Sequence, residues 1–421
     1  MLDIKFIREN KEVVKQAIKD KVLDLDLEKL LSLDEQRRKL QHELDDLRAE
    51  LKKSSESKPD AEEIKRLKKL GDEIKGQEAV LKKVEEELKN LMLLVPNIPS
   101  QDTPRGGEQD FKVIEEWGKK PQLKFKIKDH IELGQALDIL DLERGVKVAG
   151  FRGYFLKNEG LLLHLALLHL ALKKLVVKGF TPMQTPTLVK EFALIGSGHF
   201  PFGREEIYEV EEFTHTKEKD AKFLVGTAEP ALLAYHAEEI LNAKDLPLKL
   251  CGISPCYRRE VGGYGKDTRG IYRVHEFMKV EQVVICKADM KESEMWFAEL
   301  NNTARELLQD LELPHRVIQI ATGDMGVGKY KMYDIETWFA ARSAYGETHS
   351  NSNLTDWQAR RLNIRYKDKN EVKFVYTLNN TMIASPRILI AILENNQQAD
   401  GSVKVPKVLQ EFVGSQLIKP K

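Results

Sequence analysis

Between Leu27 and Leu94 apolar residues recur at heptad spacing in a stretch that is otherwise charged and almost free of aromatics. Leu30, Leu33, Leu40, Leu44, Leu47 and Leu51 form one seam, interrupted by Arg37. Leu67, Leu70, Ile74, Leu81, Val84, Leu88, Leu91 and Val95 form a second, interrupted by Gln77. The polar stretch from Lys52 to Asp60 contains Pro59 and cannot continue a helix. The spacing therefore predicts two helices of about 25 to 30 residues in an antiparallel hairpin roughly 40 Å long. So narrow an apolar seam suits an arm that projects from the body of the protein. Spacing alone leaves open whether that arm meets RNA or serves as a dimerisation or spacer coiled coil.

Val95-Pro96-Asn97-Ile98-Pro99 through Pro104-Arg105-Gly106-Gly107 is rich in proline and glycine and marks a boundary, with an N-terminal domain over 1–100 and a second domain over 101–421. Beyond it, Phe223 to Gly226, Lys249 to Ile253, Val280 to Cys286, Val317 to Ala321 and Lys373 to Leu378 have strand character and alternate with helical stretches. That pattern predicts an α+β fold, an antiparallel sheet flanked by helices. The most apolar run, Leu161 to Leu172, is about 12 residues long against the roughly 20 a membrane-crossing helix needs, and reads as a buried core helix.

Lysine plus arginine equals aspartate plus glutamate at 67 each, so no bulk field announces a nucleic-acid partner and any RNA contact rests on local patches. One such patch lies near the predicted arm tip: Lys52, Lys53, Lys58, Lys65, Arg66, Lys68 and Lys69. Cys251, Cys256 and Cys286 are too few for a disulfide framework or a four-ligand zinc site, so no structural zinc is expected and the cytoplasm is the natural compartment. The N-terminus lacks the apolar core of a signal peptide, and no membrane partner is expected.

The chemistry concentrates between Cys256 and Glu281. Cys256-Tyr257-Arg258-Arg259-Glu260-Val261-Gly262-Gly263 runs through Thr268-Arg269-Gly270 to Arg273-Val274-His275-Glu276-Phe277, two strand-like limbs around a glycine-rich charged turn. Arg258 and Arg273 can neutralise phosphates in fork geometry, Phe277 offers a flat face to a purine, and Glu260 and Glu281 can accept from exocyclic or ammonium N–H groups. Taken singly, the same stretch is equally a surface hairpin whose charges face water. Two further segments change that balance. Ala384-Ser385-Pro386-Arg387 places an arginine at the start of an apolar helix, with proline where a missing N–H costs little. Lys178-Gly179-Phe180-Thr181-Pro182-Met183-Gln184-Thr185-Pro186 reads as a helix end passing into a strand that stops at proline.

In that order the three segments resemble motifs 1, 2 and 3 of the class II aminoacyl-tRNA synthetases. With Thr227-Ala228-Glu229, Glu347-Thr348-His349-Ser350 and the N-terminal coiled coil, nearly the whole chain resembles the seryl-tRNA synthetase family. The resemblance implies the class II synthetase fold and ATP-dependent activation of L-serine, with transfer to the 3' end of tRNA(Ser); it leaves tRNA(Sec) open as a second acceptor. It implies Arg258, Glu260 and Arg387 as catalytic residues. Arg258 would hold the α-phosphate and the serine carboxylate, Glu260 would accept from the adenine amino group, Phe277 would stack under adenine and Arg387 would cover its other face. Arg273 would lie against the γ-phosphate, with Arg259, Val274, Thr348 and His349 completing the ATP site. Glu347 and Ser350 would hold Mg²⁺ through ATP, as hard oxygen donors suited to that ion. Thr227, Ala228, Glu229, Glu281, Asn379 and Thr381, with Arg258, would form the serine pocket. The arm would reach the tRNA, and the motif that includes Pro186 would form a homodimer.

The chain departs from the family pattern at Arg259 and Val261 and at His199 and Phe200 within Gly196-Ser197-Gly198-His199-Phe200-Pro201, beside the site. Gly323-Asp324-Met325-Gly326-Val327-Gly328-Lys329-Tyr330 nearly spells a phosphate-binding loop, but Tyr330 stands where a small hydroxyl must reach Mg²⁺. His275-Glu276 has Lys279 where a zinc protease needs histidine. His164 and His169 lie about 140° apart around a helix and cannot share a metal. Two other readings compete: an amino-acid ligase charging a carrier protein, against which the long arm speaks, and a non-catalytic coiled-coil regulator, which would not need so complete a charged set.

Overall fold

The computed structural model describes residues 1–54, 60–211, 221–261 and 269–421, in two compact units, Met1–Pro96 and Asn97–Lys421. Lys58 and Pro59 of the arm turn, and Gly262, Gly263 and Thr268 of the hairpin turn, lie outside the described residues.

In the first unit, short helices α1 (Ile4–Glu9) and α2 (Lys11–Asp20) precede α3 (Leu27–Ser54) and α4 (Ala61–Leu94). Asp60 caps α4 by accepting from the N–H groups of Glu62 and Glu63. Leu44, Leu70, Ile74 and Leu81 are buried between the long helices, with Leu40, Leu47 and Leu51 packed against them. Three ion pairs record the antiparallel register: Lys29–Glu87 (2.6 Å), Arg48–Glu78 (2.7 Å) and Arg66–Glu50 (2.5 Å). Toward its end α4 buries Met92 while Leu91 is half-exposed, because a straight helix of 3.6 residues per turn drifts off a strict heptad. Arg37 interrupts its seam for a reason: buried Asp34 gathers the guanidinium groups of Arg8, Arg37 and Arg38.

The second unit is built on an eight-stranded sheet. Its strands are β1 (Lys112–Trp117), β2 (Thr181–Gln184), β3 (Leu248–Tyr257), β4 (Glu276–Cys286), β5 (His315–Gln319), β6 (Lys331–Phe339), β7 (Ala344–Thr355) and β8 (Tyr376–Ala384). They lie in the order β1-β5-β6-β7-β8-β4-β3-β2, every pair antiparallel except β2 with β3. The helices are α5 (His130–Ala136), α6 (Leu142–Ala149), α7 (Asn158–Val177), α8 (Glu191–Ser197), α9 (Glu229–Ala234), α10 (Met290–Asp310), α11 (Trp357–Leu362), α12 (Ser385–Asn395) and α13 (Gln410–Val413). The largest core cluster joins α7, α10 and α12 to the central strands, so one mainly antiparallel sheet is clothed by helices; of the predicted strand runs, Phe223 to Gly226 begins in a separate three-stranded sheet and Lys373 to Leu378 divides between a small sheet and β8.

Two bulges position side chains. Across β4 and β8 the register steps from Val280↔Ile383 to Glu281↔Thr381, which puts that carboxylate and hydroxyl side by side. Across β6 and β7 it steps from Ile335↔His349 to Glu336↔Glu347, with Thr348 as the extra residue.

Helix α7 corrects the sequence reading of its length. The apolar run Leu161 to Leu172 lies inside a helix that starts at Asn158 and continues to Val177, and among the described residues it alone has the length and composition of a membrane-crossing segment. Its Leu163, Ala166, Leu167, Ala171 and Leu175 face is buried in the core, whereas Leu161, Leu162 and Leu165 are exposed, so it is not buried all round.

Candidate active site

The two limbs predicted to form a hairpin are the end of β3 and the start of β4, paired from Leu248↔Ile285 to Tyr257↔Glu276. Beyond Tyr257 the pairing continues through Arg258, whose N–H donates to the His275 carbonyl (3.0 Å), while His275 Nδ1 lies 3.0 Å from the Arg258 carbonyl. Arg273 Nη1 donates to Glu260 Oε2 at 3.2 Å. The Arg258 guanidinium sits 5.4 Å over the Phe277 ring, and its Nε donates to the Gly226 carbonyl (3.3 Å).

Helix α12 brings Arg387 to the same place. Pro386 occupies its first turn, and Arg387 Nη1 donates to the Glu347 carbonyl (2.8 Å) and to Glu347 Oε2 (3.1 Å). The Arg387 guanidinium lies 4.5 Å over the Tyr272 ring and that of Arg342 lies 4.0 Å from it. Desolvation opposes charge on Glu347, but Arg387, reinforced by Arg258 and Lys279, holds the carboxyl below its usual range.

These groups line one connected cleft. A deep part of about 60 Å³ is walled by Arg258, Glu260, Tyr272, Arg273, Val274, Phe277, Lys279, Glu347, Thr348, Thr381 and Arg387. A mouth of about 510 Å³ shares Arg258, Glu260, Arg273, Glu347 and Arg387 and adds Gly198, His199, Glu206, Gly226 and Gly326. An adjoining chamber of about 200 Å³ takes in Ser197, His199, Glu229, Lys329 and Trp357.

Glu229 is buried at the start of α9, and its Oε1 accepts from Gln358 Nε2 (2.7 Å) and Asn379 Nδ2 (2.8 Å). The Thr227 hydroxyl lies 3.4 Å from the Glu229 N–H, which donates to it. Glu281 is paired with Lys279 at 2.6 Å, and burial pushes its carboxyl upward against the pull of that lysine. Asp334, opposite Ser350 in the β6–β7 register, is pushed well above the carboxylate range by burial and then by Glu347, although Ser350 donates to it. Its buried Oδ1 has no hydrogen-bond partner.

Seven of the expected site residues line none of the three cavities: Thr227, Glu281 and Asn379, which lie beside Glu229, Lys279 and Thr381, and four others. Arg259 is exposed and engages Glu206 only through its backbone N–H (2.9 Å). Ala228 is buried against Leu232 beneath Gly252, where an added Cβ would come within 2.8 Å of it. Ser350 is turned to Asp334 and lines none of the three cavities. His349 is buried, with Nδ1 2.9 Å from the Thr348 hydroxyl, because the bulge at Thr348 breaks the alternation that sends Glu347 into the cleft.

Sequence reasoning missed Lys279, Tyr272, Gln358, Asp334 and Lys329. Lys279 was accessible to it, since Phe277, Lys279 and Glu281 occupy alternate positions of one strand. Lys329 belongs to the glycine-rich loop that fails as a phosphate loop: between antiparallel strands β5 and β6, with no following helix, it nonetheless walls the chamber.

Burial, and then the neighbouring His315, push His349 down to about 3. Its folded-state value is thus below the unfolded value of about 6.5, so the unfolded chain binds more protons and stability falls as pH drops below about 6.5. His349→Gln is expected to flatten the fall of melting temperature between about pH 6 and pH 4, measured by circular dichroism; an unchanged slope would remove His349 from the acid response.

Residues 208–396 match the tRNA synthetase class II core domain (G, H, P, S and T), and residues 1–99 match the seryl-tRNA synthetase N-terminal domain. A serine–tRNA ligase of Deinococcus radiodurans is 44% identical over 98% of this chain and 98% of its own length, and one of Thermobifida fusca is 43% identical over 100% and 99%. The crystal structure of Pyrococcus horikoshii seryl-tRNA synthetase complexed with ATP superposes with a TM-score of 0.90 at 38% identity, covering 100% of both chains. That of the cytoplasmic serine–tRNA ligase from Naegleria fowleri in complex with AMP gives 0.88 at 33%, covering 100% of this chain and 99% of that one.

Proposed function

The chain belongs to the seryl-tRNA synthetase family, and on that premise we propose that its cleft activates L-serine with ATP and passes the seryl group to the 3' end of tRNA(Ser). The observation that carries this reading is the meeting of Arg258, Phe277, Glu347 and Arg387, scattered over more than a hundred positions, around one cavity that Thr381 also lines. Neither competing reading needs that arrangement together with the N-terminal arm.

Activation asks for two anions to meet. A serine carboxylate oxygen attacks the α-phosphorus in line, the bond to the bridging oxygen breaks, and pyrophosphate leaves with the electron pair. Arg258, at the junction of the deep cavity and the mouth, neutralises both the α-phosphate and the carboxylate. Phe277 stacks under adenine with Arg387 above it, Glu260 accepts from the adenine amino group, and Arg273 faces the γ-phosphate. The pairs Arg273–Glu260 and Arg387–Glu347 keep these side chains ordered before ATP arrives.

Magnesium has one hard oxygen donor in the cleft itself, the half-exposed Glu347 carboxylate, while Ser350 and the partnerless Asp334 oxygen lie beside each other outside the three cavities. Glu347 would hold the ion, which would neutralise phosphate charge when bound.

For serine, Glu229, fixed by Gln358 and Asn379, and Glu281 beside Thr381 supply acceptors for the ammonium and hydroxyl groups. A pocket built to hydrogen-bond a hydroxyl leaves its own groups unpaired when alanine enters. In pyrophosphate exchange run with serine, threonine, alanine and glycine, serine is therefore expected to exceed alanine by about 10⁴-fold. Exchange that does not depend on serine when Mg²⁺ is present would reject the reading.

The exposed Leu161, Leu162 and Leu165 of α7, the helix that leads into the segment ending at Pro186, support a second copy of the chain as the partner through that motif. Three buried free cysteines support the cytoplasm as its compartment.

A further inference from the structure

We infer that the segment from Asp129 to Gly153 is a bracket that holds the Arg258–Arg273 hairpin from behind, with His130 and Arg152 as positioning residues at its two points of contact. The inference rests on the assignment of Glu260 and Arg273 to ATP. Neither His130 nor Arg152 lines the deep cavity, the mouth or the chamber.

The first contact is on the returning limb. The Ile271 N–H donates to His130 Nε2 at 3.2 Å, so that nitrogen is unprotonated and the ring proton sits on Nδ1, 3.3 Å from Glu394 Oε1. Glu394, in the last turn of α12, also accepts from the His130 N–H (3.3 Å) and, through Oε2, from the Ala341 N–H (3.1 Å). His130 and Glu394 are 4% and 1% exposed, so both the tautomer and the ring orientation are set by these bonds. Gly270 is shaped around the ring: its φ is +68°, and a Cβ there would fall 1.9 Å from His130 Nε2. Through Glu394 this contact ties the limb that leads to Arg273 to the same helix that carries Arg387.

The second contact is on the outgoing limb. Arg152 Nη1 donates to the Glu260 carbonyl at 3.1 Å. Both residues have left-handed backbones, φ +67° for Arg152 and +51° for Glu260, a conformation that side chains other than glycine resist unless their surroundings impose it. What imposes it on Arg152 is the close approach of α6: a Cβ on Gly145 would lie 2.5 Å from the Gly153 carbonyl oxygen, and one on Gly153 would lie 2.4 Å from that of Gly145. The rigid turn then presents the guanidinium to Glu260, and the left-handed turn at Glu260 directs its carboxylate to Arg273. Without these contacts the ion pair that frames the nucleotide would lose its backbone support, while the serine pocket would keep its own: Glu229, Glu281 and Thr381 lie off the hairpin turn, and Arg258 is held separately by the Gly226 and His275 carbonyls.

The test is ATP–pyrophosphate exchange with the intact chain, reading KM for ATP and KM for serine separately. His130→Ala and Arg152→Ala are each expected to raise KM for ATP about tenfold, since each removes that side chain's hydrogen bond to the hairpin backbone, with KM for serine changed by less than about twofold. His130→Gln, whose amide oxygen can meet the Ile271 N–H, and Arg152→Lys are expected to recover part of the loss. Gly270→Ala, which displaces the ring without altering it, is expected to reproduce the His130→Ala profile and carries the test if the histidine variant does not fold. An unchanged KM for ATP, or parallel increases in both KM values, overturns the bracket. Glu260→Gln and Arg273→Ala are measured alongside: if they too leave KM for ATP unchanged, it is the assignment of the hairpin to ATP that fails.

Discussion

Arg258→Ala is expected to lower serine-dependent pyrophosphate exchange by about a thousandfold, with the loss concentrated in kcat. The reason is electrostatic. In-line attack drives a carboxylate toward an already anionic phosphate, and charge builds on the oxygens around phosphorus as the bond to the leaving pyrophosphate stretches. Arg258 joins the deep cavity to its mouth, held by the Gly226 carbonyl on one side and the Phe277 ring on the other. A preorganised cation in the cleft stabilises the transition state more than either substrate, and the other described cations of the deep cavity have partners of their own: Arg273 with Glu260, Arg387 with Glu347 and Lys279 with Glu281. Arg258→Lys is expected to recover little, since a single ammonium cannot bridge two anions with the guanidinium's fork. Near-normal exchange in Arg258→Ala would contradict the role assigned to it.

Replacing residues 27–94 by a short Gly-Ser linker is expected to leave serine-dependent exchange within about threefold of the intact chain while lowering kcat/KM for tRNA charging by at least about a hundredfold. The first half follows from the division of the chain at Pro96 and Asn97, with every residue assigned to ATP or serine in the second unit. The second half follows from the arm's shape and its exposed cations. Lys52, Lys53, Lys65, Lys68 and Lys69 face solvent near the tip, with exposed Arg66 beside Glu50, and together they supply the cations for phosphate contact. Charging by the intact chain should weaken steeply with salt, and the deletion should remove most of that dependence. Equal loss of exchange and charging would instead make the arm a structural support.

The arm and the hairpin were the most legible parts of the sequence because each is written in a local period. Leucines seven apart describe two helices, and Phe277, Lys279 and Glu281 at alternate positions describe one face of a strand. Motif spacing brought Arg258, Glu260, Arg273, Phe277, Glu347, Thr381 and Arg387 into one list, and all seven line one cavity. Arg259, Ala228, Ser350 and His349, carried over with their neighbours from the family motifs, line none of the three cavities. Adjacency is a poor guide there, since neighbours in a strand point to opposite faces and a bulge such as that at Thr348 resets the alternation.

The sequence by itself determined the elements and their amphipathic faces, the absence of any disulfide framework, and the set of charges available for phosphate chemistry. Only the tertiary structure decided which of those charges meet. The sheet order places β7, β8, β4 and β3 side by side although they are far from consecutive in the chain, and pairs Glu347 with Arg387, Glu229 with Gln358, and His130 with both Glu394 and Ile271. Such contacts arise from long-range pairing, and the burial that gives a carboxylate or an imidazole its special character is a property of the whole folded unit. A periodic pattern a few residues long records which face an element buries, but not what it is buried against.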